Sequence, residues 1–305
     1  MKNLILVTFL LFFPLLAYMQ VSINADEIIK KLNKGEAATY ENVTISGDLD
    51  LRLIKDKVKV KKDSDKGSSI ETIFNKNVTY KYNVNASMKF TNCIFNGLFI
   101  AYFNEDDLNE LHIAMFHKNV EFINCTFKND FLVKYSEFNN KATFSGNTFE
   151  EEALFKYAEF SSDVDFTNTV FEDEANFKYA KFPLKTKFSN SKFREEANFK
   201  YTQFEGITKF NACVFYGDAT FKYTEFDDFI NFSEAKFQSD ATFKYTKFPN
   251  GVNFENAYFD DFADFKYAKL YDPINLKNIT FDGETSFKYT EIESKSFVTY
   301  LLKNQ

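Results

Sequence analysis

The triplet Phe-Lys-Tyr returns seven times at one fixed interval, opening at Phe155, Phe177, Phe199, Phe221, Phe243, Phe265 and Phe287, so the period is 22. Val133-Lys134-Tyr135 carries the series one step back. A strict period of this length marks stacked supersecondary units, each leaning only on its neighbours. The period has a finer grain. Between Phe155 and Phe177 lie Phe160, Phe166 and Phe171, so the steps run 5, 6, 5, 6. Written on four columns that begin at Phe122, Phe127, Val133 and Phe138, residues 122–292 fill eight rows. Of the 32 column positions 28 are Phe; Val133, Leu270, Leu276 and Ile292 are the others. Two residues before each column position stands a small or β-branched side chain in most rows, as with Ala153, Ala175, Ala197, Ala219, Ala241 and Ala263 before the third column.

Steps of 5 and 6 never keep one face at 3.6 residues per turn, so a helix is excluded. In an extended segment residues i−2 and i share a face and the residue between them turns to water. Four short extended sides joined by corners therefore make one square coil per period. Stacking coils in register puts Phe on Phe and Ala on Ala, with backbone pairing at the parallel-strand spacing of about 4.8 Å, so eight coils make a rod roughly 38 Å long. The sixth residue in alternate steps is expected to widen two of the four corners.

The units AEFSSDVDF, AKFPLKTKF and ANFKYTQF resemble the pentapeptide-repeat family, A-x-[LF]-x-x, in a Phe-centred variant with an 11-residue sub-repeat, over about 200 of the 305 residues. The resemblance implies an all-β fold, a right-handed quadrilateral parallel β-helix (a pentapeptide-repeat solenoid) with short N- and C-terminal caps. For function it implies little, because members of that family range from topoisomerase-protecting DNA mimics to proteins of unassigned role.

The rest of the chain divides around this body. Residues 1–25 read as a signal peptide: Lys2, an apolar run from Leu4 to Ala17, and Ile23-Asn24-Ala25 before a cut ahead of Asp26. The alternative is an uncleaved membrane anchor over 4–23. Residues 26–77 form the expected N-terminal cap, with a short helix capped by Asp26 and ended by Gly35, strands over 40–53 and a charged excursion from Lys55 to Lys66. The β-helix is expected over 78–292, and 293–305 to place a helix carrying Phe297, Leu301 and Leu302 over the last coil. KFTNCIF (89–95) and EFINCTF (121–127) are equivalent, yet they are offset by 32 where the period is 22, which puts a ten-residue insertion near 104–118. His112 and His117 lie there; with Glu105, Asp106, Asp107 and Glu110 they make a weak metal set, and no metal is assigned. Cys93, Cys125 and Cys213 share one small-residue column and read as buried filler. The stacked pair Cys93 and Cys125 is near enough for a disulfide but badly directed for one.

The outward ladders are the candidate surface. One corner should carry Lys156, Lys178, Lys200, Lys222, Lys244 and Lys266 beside Tyr157, Tyr179, Tyr201, Tyr223, Tyr245 and Tyr267. The preceding corner carries Asp130, Glu152, Glu174, Glu196, Asp218, Asp240 and Glu284, interrupted by Phe262. Two readings stand: Tyr rings that merely cover a corner with Lys stems packed along them, or an aromatic strip with cationic edges suited to sugar rings or an extended anionic polymer. Rows of like groups, two His and no phosphate-cradling Gly loop leave nothing to build an enzyme or a cofactor site from. The expected protein is a secreted or envelope-associated, non-enzymatic scaffold, monomeric or an end-to-end dimer, whose partner is a protein or an extracellular polymer. With a net charge of −7 no nucleic acid is expected as a partner, and membrane contact only through an uncleaved N-terminal segment. A DNA-mimicking topoisomerase inhibitor is the other class; the signal segment and the Lys ladder both weigh against it.

Overall fold

Four parallel sheets wall a square rod, and each side of each coil contributes one short strand to its sheet. The computed structural model describes residues 21–61, 78–293 and 295–296. The coil around Phe166 shows the plan. Its sides are Val164–Asp165, Val170–Phe171, Ala175–Asn176 and Lys181–Phe182, each paired in register with its equivalents one period earlier and one period later. We number the faces by the column that each side leads into. The first and third sheets have ten strands and the second eleven, while the fourth runs through thirteen. The ten steps along the second face span roughly 48 Å at the parallel spacing.

The inward rule holds residue by residue. Ala175, Phe177, Ala180 and Phe182 are fully buried, whereas Lys181 between two of them is exposed. Equivalent rings stack coil on coil, as in Phe166 on Phe188 at 4.7 Å and 2° and Phe177 on Phe199 at 5.0 Å and 2°. Rings of different columns meet edge to face, for example Phe177 and Phe188 at 5.3 Å and 84°. Both are arrangements that the ring quadrupole favours.

The five-residue steps make tight corners and the six-residue steps wide ones. At most tight corners the carbonyl of the column residue accepts from the amide three residues on, as Phe177 does from Ala180 at 2.9 Å. The residue just before that amide has a left-handed backbone: Asn168, Asn190, Ala212, Glu234, Asn256 and Asn278 at one corner, Tyr135 through Tyr289 at the diagonal one. Polar groups buried behind these corners are satisfied by the coil below. Thr169, Ser191 and Cys213 donate to the carbonyls of Phe144, Phe166 and Phe188, and Thr202, Thr224 and Thr246 do the same in the diagonal corner. Among the described residues all three cysteines are free and buried.

At the N-terminal end the structure corrects several boundaries. β1 (Val21–Asn24) and helix α1 (Ala25–Leu32) already belong to the fold. The helix is capped by Asn24, whose side chain accepts from the Asp26 amide at 2.8 Å; Asp26 itself lies in the first turn, where its charge suits the helix dipole. A cut ahead of Asp26 would remove both β1 and this cap. Ala25, Ile28, Ile29 and Leu32 are buried against the first coil, and Gly35 ends the turn at φ +73°.

Solenoid pairing starts well before residue 78. β2 (Ala38–Glu41), β3 (Val43–Ser46) and β4 (Leu49–Asp50) form three consecutive sides. β3 also carries β1. The charged excursion opens as β5 (Lys57–Lys61), antiparallel to β6 (Val78–Val84); its remainder lies outside the described residues. The next coil, β7 (Met88–Thr91), β8 (Ile94–Phe95) and β9 (Phe99–Ile100), stacks on β2, β3 and β4 in turn.

The insertion is a hairpin, β10 (Tyr102–Glu105) antiparallel to β11 (Glu110–Phe116). β11 itself is a regular side of the solenoid, paired with β6 along its whole length, so the extra chain is β10 and its turn. Leu111, Ile113 and Met115 are buried beside Tyr102 and Tyr135.

At the far end Lys295–Ser296 is a strand antiparallel to Glu291–Ile292, in place of the expected start of a helix; Phe297, Leu301 and Leu302 lie outside the described residues. The last coil leaves an apolar hollow of about 330 Å³ lined by Phe265, Leu276, Ile279, Phe281 and Phe287. No described helix is long and apolar enough to cross a membrane.

Candidate functional site

The Lys–Tyr corner begins as a turn problem. In Phe177-Lys178-Tyr179-Ala180 the second central residue has φ +61°, the type II pattern that ordinarily selects Gly or Asn. The diagonal corner of the same rod follows that preference with Asn in five of eight rows and Gly146 in a sixth, Ala212 and Glu234 being the exceptions. Here the slot is Tyr in eight consecutive coils, from Tyr135 to Tyr289, at φ 58° to 63°. A bulky side chain in this conformation costs about 1–2 kcal/mol.

What offsets the cost is on the surface. The rings of Tyr157, Tyr179, Tyr201, Tyr223, Tyr245 and Tyr267 form one stack with neighbours 4.7–4.9 Å apart and 0–4° from parallel. Each neighbouring lysine lies over its own ring: the Nζ atoms of Lys156, Lys178, Lys200, Lys222, Lys244 and Lys266 are 5.2–5.6 Å from the ring centres. Stacking is worth about 0.5–1.5 kcal/mol per pair and an exposed cation–π contact about 0.5–1 kcal/mol. All twelve residues singled out from the sequence thus share one continuous strip. The sequence did not reveal that Tyr102, on the hairpin, extends the strip. Its ring meets Tyr135 edge-on at 5.7 Å and its hydroxyl accepts from Lys134 at 3.2 Å.

The acidic residues line the other edge of the third face. Between the two rails runs a groove of about 490 Å³, floored by Asn198, Thr220 and Thr242. The carboxyls of Glu152, Glu196 and Asp240 are pushed above their ordinary range, by burial first and then by their acidic neighbours. Lys178 is pushed down by burial and by Lys156 and Lys200.

Elsewhere on the rod, charges pair from coil to coil. Lys181 meets Glu159 at 2.6 Å, Lys187 meets Asp165 at 3.5 Å, Arg194 meets Glu172 at 3.6 Å, Lys269 meets Glu291 at 2.9 Å and Lys277 meets Glu255 at 3.3 Å. Lys128 pairs with Glu150 in the same way. Among the described residues no such pair involves the lysines of the strip or the carboxylates of Glu152, Glu174, Glu196, Asp218 and Asp240. Each rail repeats one sign, so its neighbours repel instead of pairing.

Beside the insertion the two histidines have separate partners. His112 shares a hydrogen bond with the Tyr82 hydroxyl at 2.8 Å and stacks on Tyr80, while His117 is held by Asn83 at 3.0 Å and Asn139 at 3.2 Å. The two histidines are thus engaged separately, and among the described residues no three His, Cys, Asp or Glu side chains are grouped to hold a metal ion.

A family model described as pentapeptide repeats (9 copies) matches residues 134–181, 188–229 and 221–269. No curated protein and no solved structure gives a match.

Proposed function

This chain is a pentapeptide-repeat protein, and on that premise we propose that it is a non-catalytic, rigid interaction scaffold that engages an extended partner, a protein or an extracellular polymer, along the Lys–Tyr strip. One observation carries the reading. Tyr occupies, in eight consecutive coils, a left-handed slot that on the diagonal corner is mostly Asn, with Gly146, Ala212 and Glu234 in the other rows. Covering a corner does not require the costlier residue; a straight aromatic strip with an ammonium over each ring is a surface that stacks and attracts. The lysine rail, running beside the whole acidic rail, supports this reading over a DNA mimic, which needs an unbroken negative face.

We place the protein outside the cytoplasm, in the envelope or secreted, on the strength of the apolar run that begins at Leu4. Because β1 is part of the fold, a cut that leaves the fold whole lies before Val21.

The test is binding of the chain to envelope material and a polysaccharide panel, beside a variant with Tyr179, Tyr201, Tyr223 and Tyr245 changed to Asn. Asn accepts the left-handed backbone, so the variant keeps the turn and loses the rings. Binding is expected to fall at least about tenfold while the circular dichroism spectrum is unchanged, a difference of about 1.4 kcal/mol. Equal binding by both chains would move the function off the strip.

A further inference from the structure

The strip and the acidic rail are two lines of charge without ion-pair partners, one on each edge of a single face. From Glu152 to Asp240 one edge is negative in every coil; from Lys156 to Lys244 the other is positive in every coil. On the remaining faces both signs are mixed along a ladder, and neighbours of opposite sign pair, as Lys181 does with Glu159. The third face repeats one sign along each edge, and burial and like neighbours disfavour the charged state of Glu196 on one edge and of Lys178 on the other. Such a face is relieved by countercharges from outside, on two parallel lines with the same separation and the same rise.

We propose that the occupant of this face is a second copy of the chain, docked side by side with both rods pointing the same way. The proposal rests on the reading of the Lys–Tyr strip as an interaction surface and names its partner.

Three arguments lead there. First, a copy matches the separation of the rails and the rise per coil by identity. An extended peptide does not, because its same-side residues repeat at about 6.6–6.8 Å against about 4.8 Å here. Second, the rail is regular: from Tyr157 to Tyr267 neighbouring rings stand 4.7–4.9 Å apart and within 4° of parallel, so one contact repeats from coil to coil. Third, symmetry fixes the direction. A half-turn about an axis parallel to the rods lays each acidic rail on the partner's lysine rail. A half-turn about an axis across the rods lays acid on acid and lysine on lysine. Only the parallel pair is complementary, and it is an isologous, closed contact. Asp218 then faces the partner's Lys222, with the same pairing returned across the axis, and the groove between the rails is left to water.

The experiment follows the mass of the full chain by sedimentation, in a non-ionic detergent that keeps the apolar run of residues 4–23 from associating. Wild type is expected to dimerise at about 20 mM salt and to weaken at least about tenfold at about 500 mM, since exposed charge pairs are screened. Two variants decide it. One carries Lys178→Glu, Lys200→Glu, Lys222→Glu and Lys244→Glu; the other carries Glu174→Lys, Glu196→Lys, Asp218→Lys and Asp240→Lys. Each alone is expected to be a monomer, and an equal mixture to form a one-to-one dimer. Direction is read by oxidising a mixture of Asp218→Cys and Lys222→Cys chains, which cross-link in the parallel pair. Neither single variant meets its own new cysteine there.

A wild-type chain that stays monomeric at low salt overturns the proposal, as does a dimer that both charge variants leave intact. Loss of dimer in the two variants with no recovery on mixing overturns it as well. A monomer that still binds envelope material through its tyrosines would overturn self-association alone and leave the strip as a binding surface. Circular dichroism and thermal unfolding of each variant separate lost docking from lost folding.

Discussion

Phe210 lies between Phe188 at 4.7 Å and Phe232 at 5.2 Å, fully buried, and its neighbours along the column are held in the same way. Truncation to Ala leaves a hollow that neighbouring rings cannot fill without breaking their own stacks, so Phe210→Ala is expected to cost about 3–5 kcal/mol, read as a shift of the denaturation midpoint. Three residues on, Cys213 is equally buried, yet its thiol only does what the hydroxyl of Ser191 does one coil earlier, donating to a Phe carbonyl. Cys213→Ser is expected to stay within about 1 kcal/mol, because the column already accepts the smaller donor. The phenylalanine and cysteine columns were legible from spacing alone. The backbone of the tyrosines was not, since nothing in a Tyr announces a positive φ; only comparison with Asn168 and Asn190 on the diagonal corner exposes it. The acidic rail has a pH signature. The carboxyls of Glu152, Glu196 and Asp240 titrate higher in the folded rod than in the unfolded chain, so the folded state binds more protons between those two ranges. Stability therefore rises as the pH falls from neutral through the raised values, and the gain is complete below the ordinary carboxylate range. Thermal melts of single rods at low protein concentration and low salt are expected to show this gain. Glu196→Gln is expected to shrink it.

A coil is made of two equal halves, each with one tight and one wide corner, and the halves differ chiefly in what they display. That separates core from surface in a testable way. Deleting 178–199 removes one whole coil, so the grid and both rails close up one rung shorter. Deleting 188–198 joins Lys187 to Phe199 and also preserves the grid, since Phe199 then stands in the first column and Phe204 in the second. Every later Lys–Tyr pair, however, moves to the diagonal corner. Both chains are expected to fold with similar circular dichroism and modestly lowered melting points, while only the first keeps strip-dependent binding. Unfolding of the second would show that the corners are not interchangeable. The N-terminal coil was harder to read than the repeats. Ile45 and Leu51 stand there at buried positions where no Phe marks the column, and β1 and α1 precede it without any period, so solenoid pairing over 38–50 looked like a separate cap. The insertion was located from the offset between the two Asn-Cys units, but spacing carries no information on which part leaves the ladder, and the arm that does is β10.

At the scale of the whole molecule, the two ends are unlike. Helix α1 closes one over Ile28 and Leu32, and the described part of the other opens onto the Phe281 hollow. The charge pattern lies along the sides, where the rails give the molecule a direction as well as a face. Between the ends the sheet bonds point along the rod, from one coil to the next, and that orientation has a mechanical consequence. A load that draws the two chain ends apart along the axis falls on the bonds of the outermost coil first, so they part a few at a time. A fibre strand pulled along its own length instead shares the force among all its bonds. Under tension this rod gives way by peeling, and each coil that lets go releases roughly 75 Å of extended chain. It yields along its axis in equal, countable lengths.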